Sequence, residues 1–220
     1  MNRILKILVA ALTLVVIVRA NDAPGATRLV AKNYPLAQAV LSNNCIVVAA
    51  SGQVAVAWAA AQGLLGRRRR LEDVQRAYAA SLPAGKQVGF MIAARPGMTN
   101  RWHYINKDNE SSDIIELARC GPDAEGAELL FRVDGERFFG NFHVVLALRA
   151  WPGRPGKTRY CADVWAYPEN GMVLFFVRHL GLIERFIRKK TDEIKQIVCD
   201  VALRLNREPF ISAIAAPATH

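Results

Sequence analysis

Two histidines and two acidic pairs are the residues of this chain whose types could do chemistry. His103, in RWHYIN, and His143, in NFHVVL, would bind a metal or move a proton if neighbouring strands brought them together across a sheet. Asp113 with Glu116, and Asp134 with Glu136, have the look of paired carboxylates for acid–base work. Each has a plainer reading. Histidines are more often satisfied or solvated, Asp134 belongs to an Asp134-Gly135 turn, and the other acids suit solvated strand edges. His179 and His220 offer less. No catalytic residue is assigned on these grounds.

The four cysteines, Cys45, Cys120, Cys161 and Cys199, lie 75, 41 and 38 positions apart, so no short ligand spacing for zinc or redox work exists. Buried thiols are the expectation, and in an oxidising compartment three disulfide connectivities would be open. The loops and motifs G-x-x-x-x-G-K-[ST], G-x-G-x-x-G, H-E-x-x-H and G-x-S-x-G are absent from the sequence. That argues against the common nucleotide-binding, metalloprotease and esterase chemistries, and no cofactor and no metal are expected. Asn109-Glu110-Ser111 matches a glycosylation sequon, a tripeptide that also arises by chance.

Aromatic residues are the more informative group. Trp102, Tyr104, Phe131, Phe138, Phe139, Phe142, Trp165 and Tyr167 all fall on strand-like segments. Core packing explains most of them, but Trp102, Tyr104, Phe138, Phe142 and Trp165 are also the candidates for the wall of an apolar ligand site. The formal net charge of +10 suits an acidic partner such as anionic lipid headgroups. No RNP-like interleaving of basic and aromatic residues occurs, so nucleic acid is not expected.

What must position these side chains follows from hydrophobic periodicity. Residues 1–20, MNRILKILVAALTLVVIVRA, have a basic start, a 12-residue apolar run from Ile7 to Val18, and small residues before a polar break; they read as a signal peptide or signal anchor, and so as export. A polar linker is expected at 21–44. Residues 45–65 carry no charge over 21 positions and are followed by Arg67, Arg68, Arg69 and Arg70. Length and basic flank favour a transmembrane helix over 45–66 with the arginines on its cytoplasmic side. Alternatively CIVVAA and QVAVAW are two strands joined by a turn at Ser51-Gly52, or the stretch is the first strand and helix of the domain.

From Leu71 the spacing predicts a helix that stops at Leu82-Pro83. Strands follow over Val88–Ala94, Arg101–Asn106, Ser112–Ala118, Glu128–Val133, Arg137–Trp151 and Thr158–Tyr167, the fourth ending in the Asp134-Gly135 hairpin signal. Beyond 171 the period lengthens: Ile183, Phe186, Ile187, Ile194, Ile197, Val198, Val201 and Leu205 stripe one long amphipathic helix, with a loose tail at 209–220. The fold class is therefore α+β: an antiparallel meander of about six or seven strands packed on a long C-terminal helix, behind an N-terminal hydrophobic segment.

The strand TRYCADVWAY, the loop PENG and the helical stretch MVLFFVRHLGLIERFIRKKTDEIKQIVCDVALRLN, with the meander before them, span roughly residues 86–206 of a domain bounded at 67–208. This order resembles the helix-grip fold of START-type lipid-binding and polyketide-cyclase-like proteins. If QVAVAW is the first strand and 60–82 the two small helices, the whole element order fits; a cystatin-like or nuclear-transport-factor-like cone is the rival. The resemblance implies a cavity between sheet and helix. On that basis the expected function is a non-catalytic, membrane-associated envelope protein that binds or shields a hydrophobic ligand such as a lipid. A structural or assembly subunit of an envelope complex is the alternative, and a cyclase-like enzyme a third reading.

Overall fold

The computed structural model describes residues 28–82, 87–137 and 140–171. Seven strands make one antiparallel sheet: β1 (Ile46–Val54), β2 (Phe90–Ala94), β3 (Arg101–Asn106), β4 (Ser111–Cys120), β5 (Ala127–Arg137), β6 (Gly140–Pro152) and β7 (Thr158–Pro168). Their order is β1-β7-β6-β5-β4-β3-β2, so the meander from β2 to β7 ends against the first strand. Among the described residues three α-helices precede β2, α1 (Pro35–Leu41), α2 (Trp58–Gly66) and α3 (Arg70–Ser81), with a short 3-10 turn at Ala31–Asn33. The proposed signal segment, Phe138, His179, Cys199, His220 and the long C-terminal helix lie outside the described residues.

The strand-forming segments alternate as a sheet requires. In β3 the pattern RWHYIN buries Trp102, Tyr104 and Asn106 on one face and turns His103 and Ile105 to the other. All eleven residues of β7 alternate the same way. One face, here called concave, gathers Trp102, Tyr104, Ile114, Leu129, Phe131, Val133, Phe142, Val144, Leu146, Ala162 and Val164 with Leu65 and Leu71 from the helices. The opposite, convex face buries Leu130 and Val145 under Ala37 and Val40 of α1.

Residues 45–66 do not form a membrane span. They break into β1, paired with β7 from Ile46 opposite Ala166 to Val54 opposite Thr158, and the separate helix α2. Among the described residues no helix is long and apolar enough to cross a membrane. The physical reason is local. Ile46, Val47, Val48 and Val54 are β-branched and Gly52 weakens a helix, whereas β1 gains a nine-residue ladder along β7. Ser51-Gly52 is no turn either; Gly52 leaves room for the Tyr160 ring, whose hydroxyl would lie 2.9 Å from an added Cβ.

Asp134-Gly135 is likewise inside a strand. β5 runs through both residues, and its hairpin to β6 closes from Arg137 to Gly140, where Gly140 has φ +104°. Gly135 serves packing: an added Cβ would stand 2.7 Å from the Phe142 ring and 2.6 Å from Ser112 Oγ. Gly135→Ala is expected to cost about 1–3 kcal/mol as the Phe142 ring is pushed aside. A urea denaturation midpoint equal to wild type would remove that account.

Two devices protect the sheet. The free edge of β2 presents the N–H groups of Ile92 and Ala94, and α3 covers them: Gln75 Oε1 accepts from Ile92 and Glu72 Oε1 from Ala94 at 3.4 Å. The convex face is covered by residues 28–44, the latter part of the segment read as a polar linker. Backbone N–H groups of Arg28 and Leu29 donate to the two Glu128 carboxylate oxygens at 3.0 and 2.7 Å. Arg132 donates to the Leu36 carbonyl at 2.8 Å, and Pro35 opens α1 at a position where a missing N–H costs nothing.

Candidate functional site

Alternation along the strands sorts the candidate residues before any contact is considered. Trp102, Tyr104 and Phe142 are buried together on the concave face, with Phe131 beside them. Trp165 is on the convex face, packed among Leu130, Val145 and α1, and so does not share a surface with the other three. A stack of rings runs from α3 across β2 to β3, Tyr78 to Phe90 at 6.1 Å and Phe90 to Tyr104 at 5.7 Å between centroids.

Into this apolar wall projects one arginine of the run 67–70. The four side chains are not equivalent and flank no span. Arg67 reaches Asp73 at 3.4 Å, Arg68 and Arg69 are exposed, and Arg70 is 3% exposed. The helix α3 starts at Arg70, with Glu72 and Asp73 in its first turn favoured by the helix dipole. That start drives Arg70 under the concave face. Its guanidinium carbon lies 5.8 Å from the Trp102 ring centre and 5.6 Å from that of Phe131. It pairs with the buried carboxylate of Glu116, which also accepts from Arg119 Nε at 2.8 Å.

The presence of Arg119 here has a structural cause. In a regular strand residues three apart point to opposite faces. The β4–β5 register passes from Glu116 opposite Phe131 to Ala118 opposite Leu130, leaving Leu117 as an extra residue. This bulge returns Arg119, opposite Leu129, to the face of Glu116. Burial, and then repulsion from Arg119, push the Arg70 guanidinium down to about 9. Arg70 therefore stays charged at neutral pH.

The polar atoms around Trp102 are not all satisfied. Among the described residues Arg70 Nε, Trp102 Nε1 and Glu72 Oε2 are buried with no hydrogen-bond partner. Arg70 lies against the Trp102 ring, whereas Glu72, two residues on along α3, is bonded through its other carboxylate oxygen to the backbone of Ala94, which stands opposite Trp102 in the β2–β3 register.

The histidines occupy the convex face. A transverse row of direct register partners runs Ala93, His103, Asp113, Asp134, His143, Tyr167 from β2 to β7. His103 and His143 do not meet: two strands separate them, about 14 Å at three strand spacings. Each instead pairs with its own aspartate, His103 Nδ1 with Asp113 at 2.9 Å and His143 Nδ1 with Asp134 at 2.7 Å. Asp113 and Asp134 face each other directly, an unfavourable pairing relieved by Arg95 at 2.6 Å from Asp113 and by Arg132 at 2.8 Å from Asp134. Burial works against ionisation of Asp113, yet hydrogen bonds from His103 and Arg95 outweigh it and lower its pKa. Glu169 is also held below its ordinary value, by His143 and Asn141.

Asp113 and Glu116 point to opposite faces, so they form no carboxylate pair; Asp134 and Glu136 share the convex face. Among the described residues no group of three or more His, Cys, Asp and Glu is placed to hold a metal ion. The Cys45 thiol donates to the Val40 carbonyl at 3.2 Å, and the Cys161 sulfur accepts from Arg149 at 3.4 Å.

No protein-family model matches the chain, and no curated protein matches its sequence. Among solved structures, a conserved protein from Geobacillus kaustophilus is 11% identical, with a TM-score of 0.47 over 74% of this chain and 96% of that one. Norcoclaurine synthase from Thalictrum flavum, solved as a point mutant with a transition-state analogue, is 10% identical, with a TM-score of 0.44 over 74% and 96%. The protein Ara h 8.0201 is 10% identical, with a TM-score of 0.42 over 73% and 99%. Likeness at this level carries no functional argument. The described topology, a first strand, two helices and a meander that ends against the first strand, matches the part of the helix-grip order that precedes its long C-terminal helix, which lies outside the described residues.

Proposed function

We propose that this protein is a non-catalytic binding module whose concave sheet face holds the apolar body of a small hydrophobic ligand. The observation that carries this reading is the composition of that face. Trp102, Tyr104, Phe131 and Phe142 belong to one buried cluster, and one cation, Arg70, lies against Trp102 and Phe131 in a place where packing alone does not require it. Replacing a buried ion pair by apolar residues is commonly neutral or stabilising, so retaining one in an aromatic wall points to recognition. Export, and a working place at a membrane that could supply such a ligand, belong to the same reading and are supported by residues 1–20 alone.

Titration of the full chain with the neutral apolar fluorophore 1-aminoanthracene tests it. The expected result is saturable binding at one dye per chain, with emission shifted to that of a dry site. Emission that rises linearly with dye and never saturates would overturn the proposal.

An assembly subunit is the second reading, favoured by Val30, Leu36 and Val47, which stay 45–62% exposed on the covering segment and β1. Native mass spectrometry after mild extraction separates the two: a stoichiometric protein partner supports assembly, a co-purifying small molecule supports binding.

A further inference from the structure

The geometry points to the corner where α3 begins beside the β2–β3 loop as a docking surface for an anionic lipid bilayer. This surface gives a location to the membrane setting named above, on which it rests, and it is separate from the concave site. Two contacts put its parts together. The Ala94 N–H, at the end of β2, donates to Glu72 Oε1 in the first turn of α3 at 3.4 Å. Arg70, the first residue of α3, pairs with Glu116, whose N–H donates to the Asn100 carbonyl at 2.8 Å and whose carbonyl accepts from Asn100 Nδ2 at 3.0 Å. The arginine run and the loop 95–100 therefore share one end of the described domain.

This corner is strongly basic. Residues 67–76 and 95–101 hold seven arginines against two carboxylates. Arg70 is taken up by Glu116, Arg67 and Arg76 by Asp73 at 3.4 and 3.8 Å, and Arg95 by Asp113 at 2.6 Å. Arg68, Arg69 and Arg101 are left, exposed and bonded to no carboxylate among the described residues. Arg68 and Arg69 also stand just ahead of a helix N-terminus, where the dipole disfavours a cation, so folding does not call for them there. Between Arg95 and Arg101 stands Met98, 48% exposed. A tight turn presents it: Pro96 and Gly97, the latter with φ +72°, take the central positions, and the Met98 N–H donates to the Arg95 carbonyl at 3.0 Å. An apolar tip among cations fits a headgroup layer, in which the arginines meet phosphates and the thioether enters the acyl boundary. Nucleic acid would use the cations but not the tip, and neither segment contains an aromatic residue on which a base could stack. An acidic cover from the chain itself is also disfavoured, because residues 172–220 hold eight Lys and Arg against five Asp and Glu.

Oxidation of methionine by hydrogen peroxide in the full chain, followed peptide by peptide by mass spectrometry, tests this surface. The vesicles are phosphatidylcholine alone, or an equal mixture of phosphatidylcholine and phosphatidylglycerol. With anionic lipid at about tenfold the half-binding concentration, Met98 oxidation is expected to slow about tenfold. Neutral vesicles should leave it at the free rate. Met91, 51% exposed on β2, is the internal control and keeps its free rate throughout. Each exposed arginine contributes about fivefold in affinity, so R68Q/R69Q binds about thirtyfold more weakly and Met98 protection falls below about twofold at the same lipid concentration. Residues 1–20 are common to the chains compared. Met98 and Met91 oxidised at equal rates on anionic vesicles that sediment with the protein would overturn the docking surface and leave the membrane setting to residues 1–20. Full Met98 protection in R68Q/R69Q would overturn the role of the arginines, and protection by transfer RNA equal to that by anionic vesicles would reassign the surface to nucleic acid. R68Q/R69Q should leave the 1-aminoanthracene titration unchanged, so failure of dye binding sinks the concave-site reading alone.

Discussion

Glu116→Gln is expected to lower the stability of the protein by about 3–5 kcal/mol, whereas Arg70→Met changes it by no more than about 1 kcal/mol in either direction. The asymmetry follows from how the buried charges are shared. Among the described residues Glu116 is the carboxylate that contacts both Arg70 and Arg119, so neutralising it leaves two cations facing each other in an apolar wall. Removing Arg70 instead leaves Glu116 still bonded to Arg119, and a methionine stem fits the space between Trp102 and Phe131. Burial and the neighbouring Arg119 already hold the Arg70 guanidinium down at about 9, so the fold carries that charge at a cost. Urea denaturation of both variants, with tryptophan emission as the signal, measures the two effects directly. If Arg70→Met loses as much stability as Glu116→Gln, the arginine is a structural strut and the case for recognition weakens sharply.

The second large effect is expected on the other face. A chain beginning at residue 45 lacks the cover over Leu130 and Val145, each 0% exposed in the untruncated chain. Uncovering a buried leucine and valine forfeits about 1.5–3 kcal/mol for each, before Trp165 and Tyr167 are counted, against a total stability of about 5–15 kcal/mol. The truncated chain is therefore expected to aggregate or to melt well below the complete one in a thermal scan. Ala37→Glu reproduces the loss in full-length protein by placing a carboxylate where Ala37 is wholly enclosed. A truncated chain that melts with the complete one would show that residues 28–44 rest on the sheet without holding it.

Much of this architecture is legible in the residues, and the failures are instructive. RWHYIN reads as the strand Arg101–Asn106 because period two is unbroken and aromatic residues fall on one side. The helix from Arg70 to Ser81 follows from its acidic first turn and Pro83. The span over 45–65 fails because absence of charge is shared by membrane helices and by strands packed on one face; β1 has neither length nor leucine content to distinguish them. Asp134-Gly135 carries the composition of a hairpin, yet the glycine answers to a ring lying over it from the next strand, a contact that local sequence does not encode. Trp102, Tyr104 and Phe142 fall on one face of the sheet and Trp165 on the other; parity alone does not say which face of β7 is which. Arg70 is hidden by company: in a run of four arginines nothing marks the one that turns inward. The covering segment leaves only the weak trace of Ala37 and Val40, three apart behind Pro35.

One extra residue in the fourth strand has a genetic corollary. Leu117 counts more by its presence than by its identity, because it resets odd and even for everything after it in β4. Exchange of that leucine for another medium-sized residue is tolerable arithmetic, but losing the codon altogether would rotate Arg119 out of the interior and strip Glu116 of half its counter-charge in a single event. Insertions and deletions between positions 116 and 119 are thus far more hazardous than point changes there, and a library scanning both would separate the two classes cleanly.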